Sequence, residues 1–382
     1  MRQFVHRPSL LAFGVSLATL LTACGPSIPD SIQIGVAQPL SGPSAARGQD
    51  LLNGAQLAAD DLNAAGYKIG GKPVRIVIVA KDDKADKETA KKVAQELVDL
   101  KVTAVIGHLN SDITEVAIPV YKAGNIPEFF TSSATELTKL GDGNAFRLVA
   151  NDQMQALAIA SYAGEGLHAK SVAIVHENTA YGTPLAKDIA AALAKAERKL
   201  VFSDGVDGKV TEFAAIVAKL KAAPPDVLVA ALRDSQLLPL FTQLSAAGLA
   251  DLPVIVPSVS KTLKVAQAPT TMKAVYATSS AIDVSEFTNG EFLQHFRAKY
   301  NSDPVWAAHY AYDAVYVLTD VLRRNDTVDP AVLRSKLASV DAIAPATVTM
   351  RFNPAGEQRF GAISVYQRRA GRWEPLMRTD RW

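Results

Sequence analysis

Residues 101–135, KVTAVIGHLNSDITEVAIPVYKAGNIPEFFTSSAT, contain the pattern that decides the fold. A run of strand length and partly β-branched composition, residues 102–106, ends at Gly107. The next residues predict a helix over 112–123, with Ser111 as its N-cap. A second short strand, 126–130, leads into the hydroxyl residues Thr131, Ser132, Ser133 and Thr135. The stretch therefore predicts two neighbouring parallel strands, each followed by a loop that starts a helix.

The loops after these two strands predict a binding site for a small anion, most simply a carboxylate. Helix N-termini present free backbone N–H groups, and nearby Ser and Thr hydroxyls can donate to the same anion. Because adjacent parallel strands end at the same edge of a sheet, both loops should face one crevice. The alternative is that Ser111 and Thr135 only cap helices. No nucleophile with a neighbouring base occurs here, which favours binding over catalysis.

The composition describes a globular protein with room for two domains. The chain has 382 residues, of which 48% are hydrophobic and 20% charged. Its formal net charge is +2, and residues 1–23 contain two arginines and no acid, so the rest of the chain is neutral. A neutral chain offers no electrostatic footprint for nucleic acid.

The N-terminus reads as a lipoprotein signal peptide over residues 1–23. Arg2 and Arg7 precede an apolar run, residues 10–21, that is too short to span a membrane comfortably. The run ends in Leu21-Thr-Ala-Cys24, which resembles a bacterial lipobox. We expect Cys24 to be lipidated and to become the first mature residue, with 24–31 as a tether. The alternative is an ordinary signal with a chance cysteine. A single cysteine excludes an intrachain disulfide.

Strands and helices alternate along most of the chain, which predicts an α/β protein with parallel sheets. The alternation runs through residue 130 and restarts after residue 149 as a second unit of the same kind. The tail differs, because 347–352, 363–367 and 373–377 read as antiparallel strands. Two similar lobes in one chain predict a cleft between them, and such clefts are preferred small-molecule sites.

Several short motifs that would indicate a phosphate-binding loop or a metal site are better interpreted in other ways. Residues 66–72 fit the phosphate-loop pattern, but Pro73 replaces the metal-binding hydroxyl and a strand follows, so a turn is the better interpretation. A metal cluster at Asp82, Asp83 and Asp86 is conceivable, but a solvated loop with Asp86 as a helix cap is favoured. The histidines beyond the signal peptide have no metal-site spacing and are interpreted as structural or surface groups; they are His108, His168, His176, His295 and His309.

A set of short motifs, in order along almost the whole mature chain, resembles one family. The motifs are Ile34-Gly-Val36, Leu40-Ser-Gly-Pro43, Asn53-Gly-Ala55, Val105-Ile-Gly-His108 with Ser111, Ser133-Ala-Thr135-Glu-Leu137, Tyr181-Gly182 and Phe213. They resemble the type I periplasmic binding proteins of the leucine/isoleucine/valine-binding group, the substrate-binding components of ABC importers. The resemblance implies two doubly wound parallel-sheet lobes joined by a three-crossing hinge. Lobe one would hold residues 32–148 and 276–351, and lobe two residues 149–275 and 352–382.

The resemblance also implies a ligand site. The ligand carboxylate would meet Ser111, Ser133 and Thr135, with Asn110 and Ala134 beside them. Asp152 would hold an α-ammonium group, and Tyr181 would reach the ligand from lobe two. Three more positions are expected to face the ligand and depart from the branched-chain pattern: Ser258 replaces an acid, Arg47 a frequent aromatic residue and Arg233 a tyrosine. An arginine in the cleft would favour a ligand with a second anionic group.

The expected function is that of a lipid-anchored, extracytoplasmic substrate-binding protein of an ABC importer. It would bind an amino acid, of branched-chain type or a related small carboxylate, and deliver it to a permease. We expect a monomer that needs no cofactor or metal and is not an enzyme. The alternative is a ligand-sensing receptor of the same fold that regulates a partner, with amides, urea or aromatic or dicarboxylic acids as ligands. An exported hydrolase is disfavoured because no nucleophile–base set is present.

Overall fold

A computed structural model describes residues 28–269, 271–287 and 290–381. The predicted signal peptide and Cys24, with its predicted lipid, lie outside these ranges. Among the helices within them, none combines the length and the apolar character that crossing a bilayer requires.

Lobe one is built on a parallel sheet with the spatial order β4-β1-β5-β6-β7. Its strands are β1 (Ser31–Gln38), β4 (Arg75–Asp82), β5 (Ala104–Ile106), β6 (Glu128–Phe130) and β7 (Ala145–Arg147), with the small hairpins β2 (Lys68–Ile69)–β3 (Lys72–Pro73) and β13 (Asp341–Ala344)–β14 (Val348–Arg351). Its helices are α1 (Ala45–Ala64), α2 (Lys87–Asp99), α3 (Ser111–Ala123), α4 (Leu137–Gly141), α10 (Glu291–Tyr300), α11 (Ala308–Arg324) and α12 (Pro330–Leu337).

Lobe two is built on a second sheet with the order β16-β15-β12-β11-β10-β8-β9. Its strands are β8 (Ser171–Glu177), β9 (Lys199–Val206), β10 (Val227–Ala231), β11 (Val254–Val256), β12 (Val275–Ser279), β15 (Ser364–Arg369) and β16 (Arg372–Arg378). Its helices are α5 (Asp152–Ser161), α6 (Gly182–Lys195), α7 (Ala214–Ala222), α8 (Asp234–Ala246) and α9 (Leu263–Gln267). The strands from β8 to β12 are parallel, and β15 and β16 are antiparallel, as the tail pattern predicts. The predicted α/β class with two parallel-sheet lobes is confirmed.

The chain passes between the lobes near residues 148–150, 279–283 and 358–363. Two of these crossings come later than the sequence indicated, so the expected bounds at 275/276 and 351/352 need correction. Strand β12 pairs with β11 and β15, and it therefore belongs to lobe two through Ser279. Phe352 packs on Phe129 and Phe146 in the core of lobe one, and the chain stays there until the bridge to Gln358.

Local sequence explains most element ends. The Asp86 carboxylate accepts a hydrogen bond from the Thr89 N–H at 2.8 Å, so its predicted role as a helix cap is confirmed. The tight turn between β2 and β3 uses Gly70 and Gly71 at positive φ, and it takes the place of the rejected phosphate loop. Ser111, by contrast, is not an N-cap. Helix α3 begins at Ser111 itself, and the Ser111 hydroxyl accepts a hydrogen bond from the Ala134 N–H at 3.4 Å.

The packing of α1 against α11 organises the core of lobe one. Asp50 of α1 is buried, and its carboxylate accepts the N–H groups of Val305, Trp306, Ala307 and Ala308 at distances of 2.7 to 3.0 Å. A side chain from the first helix thus satisfies the N-terminus of a helix more than 250 residues later. Gly54, one turn further along α1, lies against the Ala308 carbonyl, where a Cβ would clash at 1.9 Å.

Replacing Asp50 with alanine should therefore destabilise lobe one. The change leaves four backbone N–H groups without their acceptor in a buried setting, and we expect a loss of about 3 kcal/mol in the free energy of unfolding. Urea denaturation followed by circular dichroism measures it. The matched control is Asp86→Ala, which removes an exposed cap on α2 and should cost much less. Equal losses in the two variants would contradict the role assigned to Asp50.

Candidate functional site

The loops after β5 and β6 lie side by side at the edge of the first sheet, where the sequence places them. The Ala134 N–H reaches the Ser111 hydroxyl at 3.4 Å, and the Ser132 hydroxyl donates to the His108 carbonyl at 3.0 Å and also contacts the Thr114 hydroxyl. These bonds join loop 107–110 to loop 131–136. Asn110, Ser111, Ser133, Ala134 and Thr135 are thereby brought to one crevice between the lobes.

Arg147 at the end of β7 fixes the orientation of the second loop. Its fully buried guanidinium donates to the Ser132 carbonyl, to the Ala134 carbonyl at 2.8 Å and to the Thr135 carbonyl at 3.4 Å. Because a trans peptide is planar, each carbonyl that points at Arg147 directs the following N–H away from it. The N–H groups of Ser133 and Thr135 consequently face away from the guanidinium, and neither donates to an acceptor in the described chain.

The charge of Arg147 is balanced by Glu357. The Arg147 Nε lies 3.0 Å from the Glu357 Oε2, and the same carboxylate accepts the Thr138 hydroxyl at 2.7 Å and the Asn151 side-chain amide at 3.2 Å. Glu357 belongs to the turn just before the third crossing. Sequence reasoning missed this pair; the available signal was an arginine inside a buried strand.

Three buried polar atoms of this crevice have no hydrogen-bond partner within the described residues. They are the Asn110 Oδ1, the Thr135 Oγ1 and the Asp152 Oδ2. Burying such atoms unpaired is costly, so polar groups of this kind normally have partners. Three such atoms lie at or next to the loops after β5 and β6.

Asp152 supplies the acidic group of the site. It is fully buried in the first turn of α5, its N–H donates to the Ser133 carbonyl at 2.8 Å, and its Oδ1 accepts the Gln155 side-chain amide at 2.9 Å. Burial raises the pKa of the Asp152 carboxyl to about 7, against the opposing effects of the neighbouring Ser133 side chain and the charge of Arg147. The carboxyl is therefore poised to ionise near neutral pH.

Gln155 connects Asp152 to Tyr181 and to Ser258, and the sequence analysis did not select it. Its amide nitrogen lies 3.4 Å from the Tyr181 hydroxyl, and its Oε1 accepts the Ser258 N–H at 3.0 Å and the Ser258 hydroxyl at 2.6 Å. The Ser258 Oγ also accepts the Ser280 N–H at 2.8 Å. The structure thus brings Tyr181 to the site, whereas the Ser258 side chain is used inside lobe two. The missed signal was the i+3 spacing from Asp152 to Gln155 on one helix.

The two predicted arginines have different surroundings. Arg47 of α1 reaches across the cleft, where its Nη2 donates to the carbonyls of Ser258 at 2.9 Å and Lys261 at 3.1 Å. Its guanidinium lies over the Trp306 ring, 4.9 Å from the ring centre. Arg233 pairs instead with Glu177 at 3.1 Å, and its side chain is 46% exposed. Arg233 therefore lies at the rim, with a partner of its own.

Asp83 and His108 serve the scaffold. Asp83 is buried and lies 2.6 Å from the His108 Nδ1, and the His108 Nε2 lies 3.2 Å from the Tyr121 hydroxyl. This contact ties loop 107–110 to the residue that follows β4, a role that the interpretation of Asp83 as a solvated loop residue missed. The described part of the chain contains no cluster of three side chains that could hold a metal ion.

The chain is similar to known proteins along most of its length. The sequence model of a family described as periplasmic binding protein matches residues 31–371. An amino acid binding protein of Pseudomonas aeruginosa is 31% identical over 339 residues, covering 87% of this chain and 88% of that protein. The matched proteins are binding proteins, and the prediction that the chain is not an enzyme is confirmed.

Solved structures give the same fold. The branched-chain amino acid transporter substrate binding protein of Streptococcus pneumoniae, in complex with isoleucine, superposes with a TM-score of 0.79 at 25% identity and covers 91% of this chain and 99% of its own. A solute binding protein of Rhodopseudomonas palustris, in complex with 3,4-dihydroxy benzoic acid, has a TM-score of 0.77 at 18% identity and covers 92% of this chain and 97% of its own. The second likeness concerns the fold alone.

The Arg147–Glu357 pair should show strong energetic coupling. Arg147→Met leaves a partly buried carboxylate and three carbonyls without their donor, and we expect a loss of about 3 kcal/mol in the free energy of unfolding. The double variant with Glu357→Gln should lose at least about 1 kcal/mol less than the sum of the single losses, since neither charge is then left alone. A double-mutant cycle in urea measures the coupling.

The exposed pair Lys139 and Glu136 on the same lobe is the control for this cycle. Its side chains are 67% and 72% exposed, so Lys139→Met with Glu136→Gln should give a coupling close to zero. Additive losses at Arg147 and Glu357 would show that the buried pair does not act as a unit.

Proposed function

This chain belongs to the periplasmic binding protein family, and from that premise we propose that it is the lipid-anchored substrate-binding protein of an ABC importer. Its ligand is an amino acid or a related small carboxylate, held in the cleft between the lobes. The permease recognises the ligand-bound form. Support for each part comes from a different region of the chain.

The observation that supports the ligand class is the mixture of unpaired donors and acceptors in one crevice. The N–H groups of Ser133 and Thr135 and the Thr135 hydroxyl are donors suited to a carboxylate. The Asn110 Oδ1 and the Asp152 Oδ2 are acceptors suited to an ammonium group. An α-amino acid is a zwitterion that offers both groups on neighbouring atoms, so it satisfies both sets at once.

The mechanism follows from where these groups sit. Lobe one supplies the carboxylate donors, and the segment after the first crossing supplies Asp152, which joins Tyr181 of lobe two through Gln155. A ligand that touches both lobes binds the closed arrangement better than an open one, and it therefore shifts the population toward closure. The closed lobes present a surface that the permease can distinguish from that of the ligand-free protein.

Membrane attachment is supported by the sequence and by the start of the fold. Cys24 follows a signal-type segment, and strand β1 starts at Ser31. Lys72 contacts residues 28–30 just before this strand, because its Nζ lies 2.7 Å from the Ile28 carbonyl and 2.8 Å from the Asp30 carboxylate. The lipid on Cys24 would hold lobe one near the membrane surface. Incorporation of labelled palmitate into the wild-type protein but not into Cys24→Ala in a bacterial host tests this part.

Ligand binding is tested by thermal unfolding of the protein from residue 25 onward, after unfolding and refolding to remove copurified ligand. The panel holds aliphatic, acidic and aromatic amino acids, dicarboxylic acids, benzoates, amides and urea. A ligand at 100 times its Kd stabilises by about 2.7 kcal/mol and raises the Tm by several degrees. Thr135→Val should weaken the response, and Thr242→Val, at an exposed site on α8, should not. A response only to amides or urea would contradict the proposal.

Affinity for an α-amino acid should rise with pH. Asp152 must be ionised to pair with the ammonium group, and its raised pKa of about 7 leaves it mostly protonated at lower pH. We expect the affinity to fall roughly tenfold per pH unit below about pH 6.5 and to level off above pH 7.5. The stability of the ligand-free protein has the opposite pH dependence. Because the pKa of Asp152 is raised in the folded state, the free energy of unfolding falls as the pH rises toward 7. Isothermal titration calorimetry between pH 5.5 and 8 measures the affinity.

Asp152→Asn is the matched variant for the pH profile. It keeps the shape of the side chain and removes its ionisation, so binding should be weaker and nearly independent of pH in this range. A flat wild-type profile would exclude ammonium recognition by Asp152 and would favour a carboxylate ligand without an amino group.

A further inference from the structure

Arg47 is a cation in the cleft without an anionic partner. The other cations of the cleft and hinge have one: Arg147 pairs with Glu357, Lys261 with Asp283 at 2.6 Å and Arg233 with Glu177. Arg47 is only partly exposed, and no carboxylate of the described chain lies within ion-pair distance of it. A desolvated charge is costly unless an anion accompanies it.

The guanidinium of Arg47 is held rigidly. Its Nη2 is fixed by the carbonyls of Ser258 and Lys261, and its central carbon lies over the Trp306 ring. The Trp306 backbone is itself fixed by Asp50, one turn along α1. The Nε and Nη1 of Arg47 donate to no acceptor in the described residues, so three N–H bonds remain. They point to opposite sides of the guanidinium, and each can donate a single charge-assisted hydrogen bond to a carboxylate.

Trp306 adds a second donor at the same place. Its side chain is buried, and the indole Nε1 has no hydrogen-bond partner in the described chain. Nearby, the Asp234 carboxylate accepts the Thr262 hydroxyl at 2.9 Å, and it lies beyond ion-pair distance of Arg47 while still acting on its charge. The region around Arg47 therefore has unpaired donors that could meet an acceptor group.

This region belongs to the same cleft as the carboxylate loops. Arg47 contacts the Ser258 carbonyl, the Ser258 hydroxyl contacts Gln155, and Gln155 contacts Asp152 and Tyr181. A ligand whose α-carboxylate lies at Ser133 and Thr135 and whose ammonium lies at Asp152 can extend its side chain toward Tyr181 and Arg47. The cleft then has an anion position at each end.

We propose that Arg47, with the Trp306 indole N–H, binds a second carboxylate, so that the ligand is an acidic amino acid or a related dicarboxylic acid rather than an aliphatic one. This inference rests on the proposed function and specifies its substrate class. Arg47 is then a specificity-determining residue, and Arg233, already paired at the rim, has no part in selection.

The test compares ligands that differ only at the far end. Affinities of glutamate, glutamine and leucine, and of aspartate with asparagine, are measured by calorimetry on the wild-type protein, Arg47→Gln, Trp306→Phe and Arg233→Gln. We expect the better acid to bind about 10- to 100-fold more tightly than its amide. Arg47→Gln should remove that preference, and the acid should lose about 10- to 100-fold more affinity than leucine, because leucine loses only the two hydrogen bonds between the lobes. Trp306→Phe should weaken acid binding by a smaller factor, and Arg233→Gln should leave all affinities near wild type.

Several outcomes would overturn the inference. Tighter binding of leucine or of an amide than of either acid would mean that Arg47 serves another group. Equal losses for every ligand in Arg47→Gln would mean that Arg47 only joins the lobes. In both cases the proposed function would stand, since an amino acid still binds. Failure of every amino acid and carboxylate to bind the wild-type protein would overturn the inference and the proposed function together. Melting temperatures within a few degrees of wild type establish that the variants fold.

Discussion

The buried ion pair between Arg147 and Glu357 is the constraint on which the cleft depends. The guanidinium holds the carbonyls of the loop after β6, and the carboxylate belongs to the turn before the third crossing. The geometry of the loop after β6 and the path of the hinge are therefore set by the same two side chains. In a low-dielectric setting neither charge can leave without its partner, which makes the arrangement stiff. A stiff loop presents its N–H groups at fixed positions and loses little entropy when a ligand arrives.

The general architecture was readable from the sequence because it rests on local patterns. Strand and helix alternation gives the two parallel sheets, and the strand-end argument places Ser111, Ser133 and Thr135 at one crevice. The resemblance to a family added Asp152 and Tyr181, which the structure brings to the same place. The hinge positions were less accurate, since strand β12 has the composition of a buried strand in either lobe and only its pairing with β11 and β15 assigns it.

The contacts that the sequence did not reveal join residues far apart in the chain. Arg147 and Glu357 are separated by 210 positions, and Gln155 and Ser258 by 103. No periodicity or short motif records such a pairing. The same limit explains Ser258, whose hydroxyl was expected to face a ligand and instead completes a network with Gln155 and Ser280. It also explains the two arginines, which look alike in sequence and differ because only Arg233 has Glu177 beside it.

The contact of Arg47 with two carbonyls of the opposite lobe also affects the rates at which a ligand would enter and leave the cleft. These hydrogen bonds exist only while the lobes are together, so a ligand can neither enter nor leave until they break. When the lobes separate, these hydrogen bonds are replaced by bonds to water. The contact therefore lengthens the time for which a ligand stays bound, and it also slows ligand entry. On the proposed function, a binding protein of this construction would favour retention of its ligand over rapid turnover.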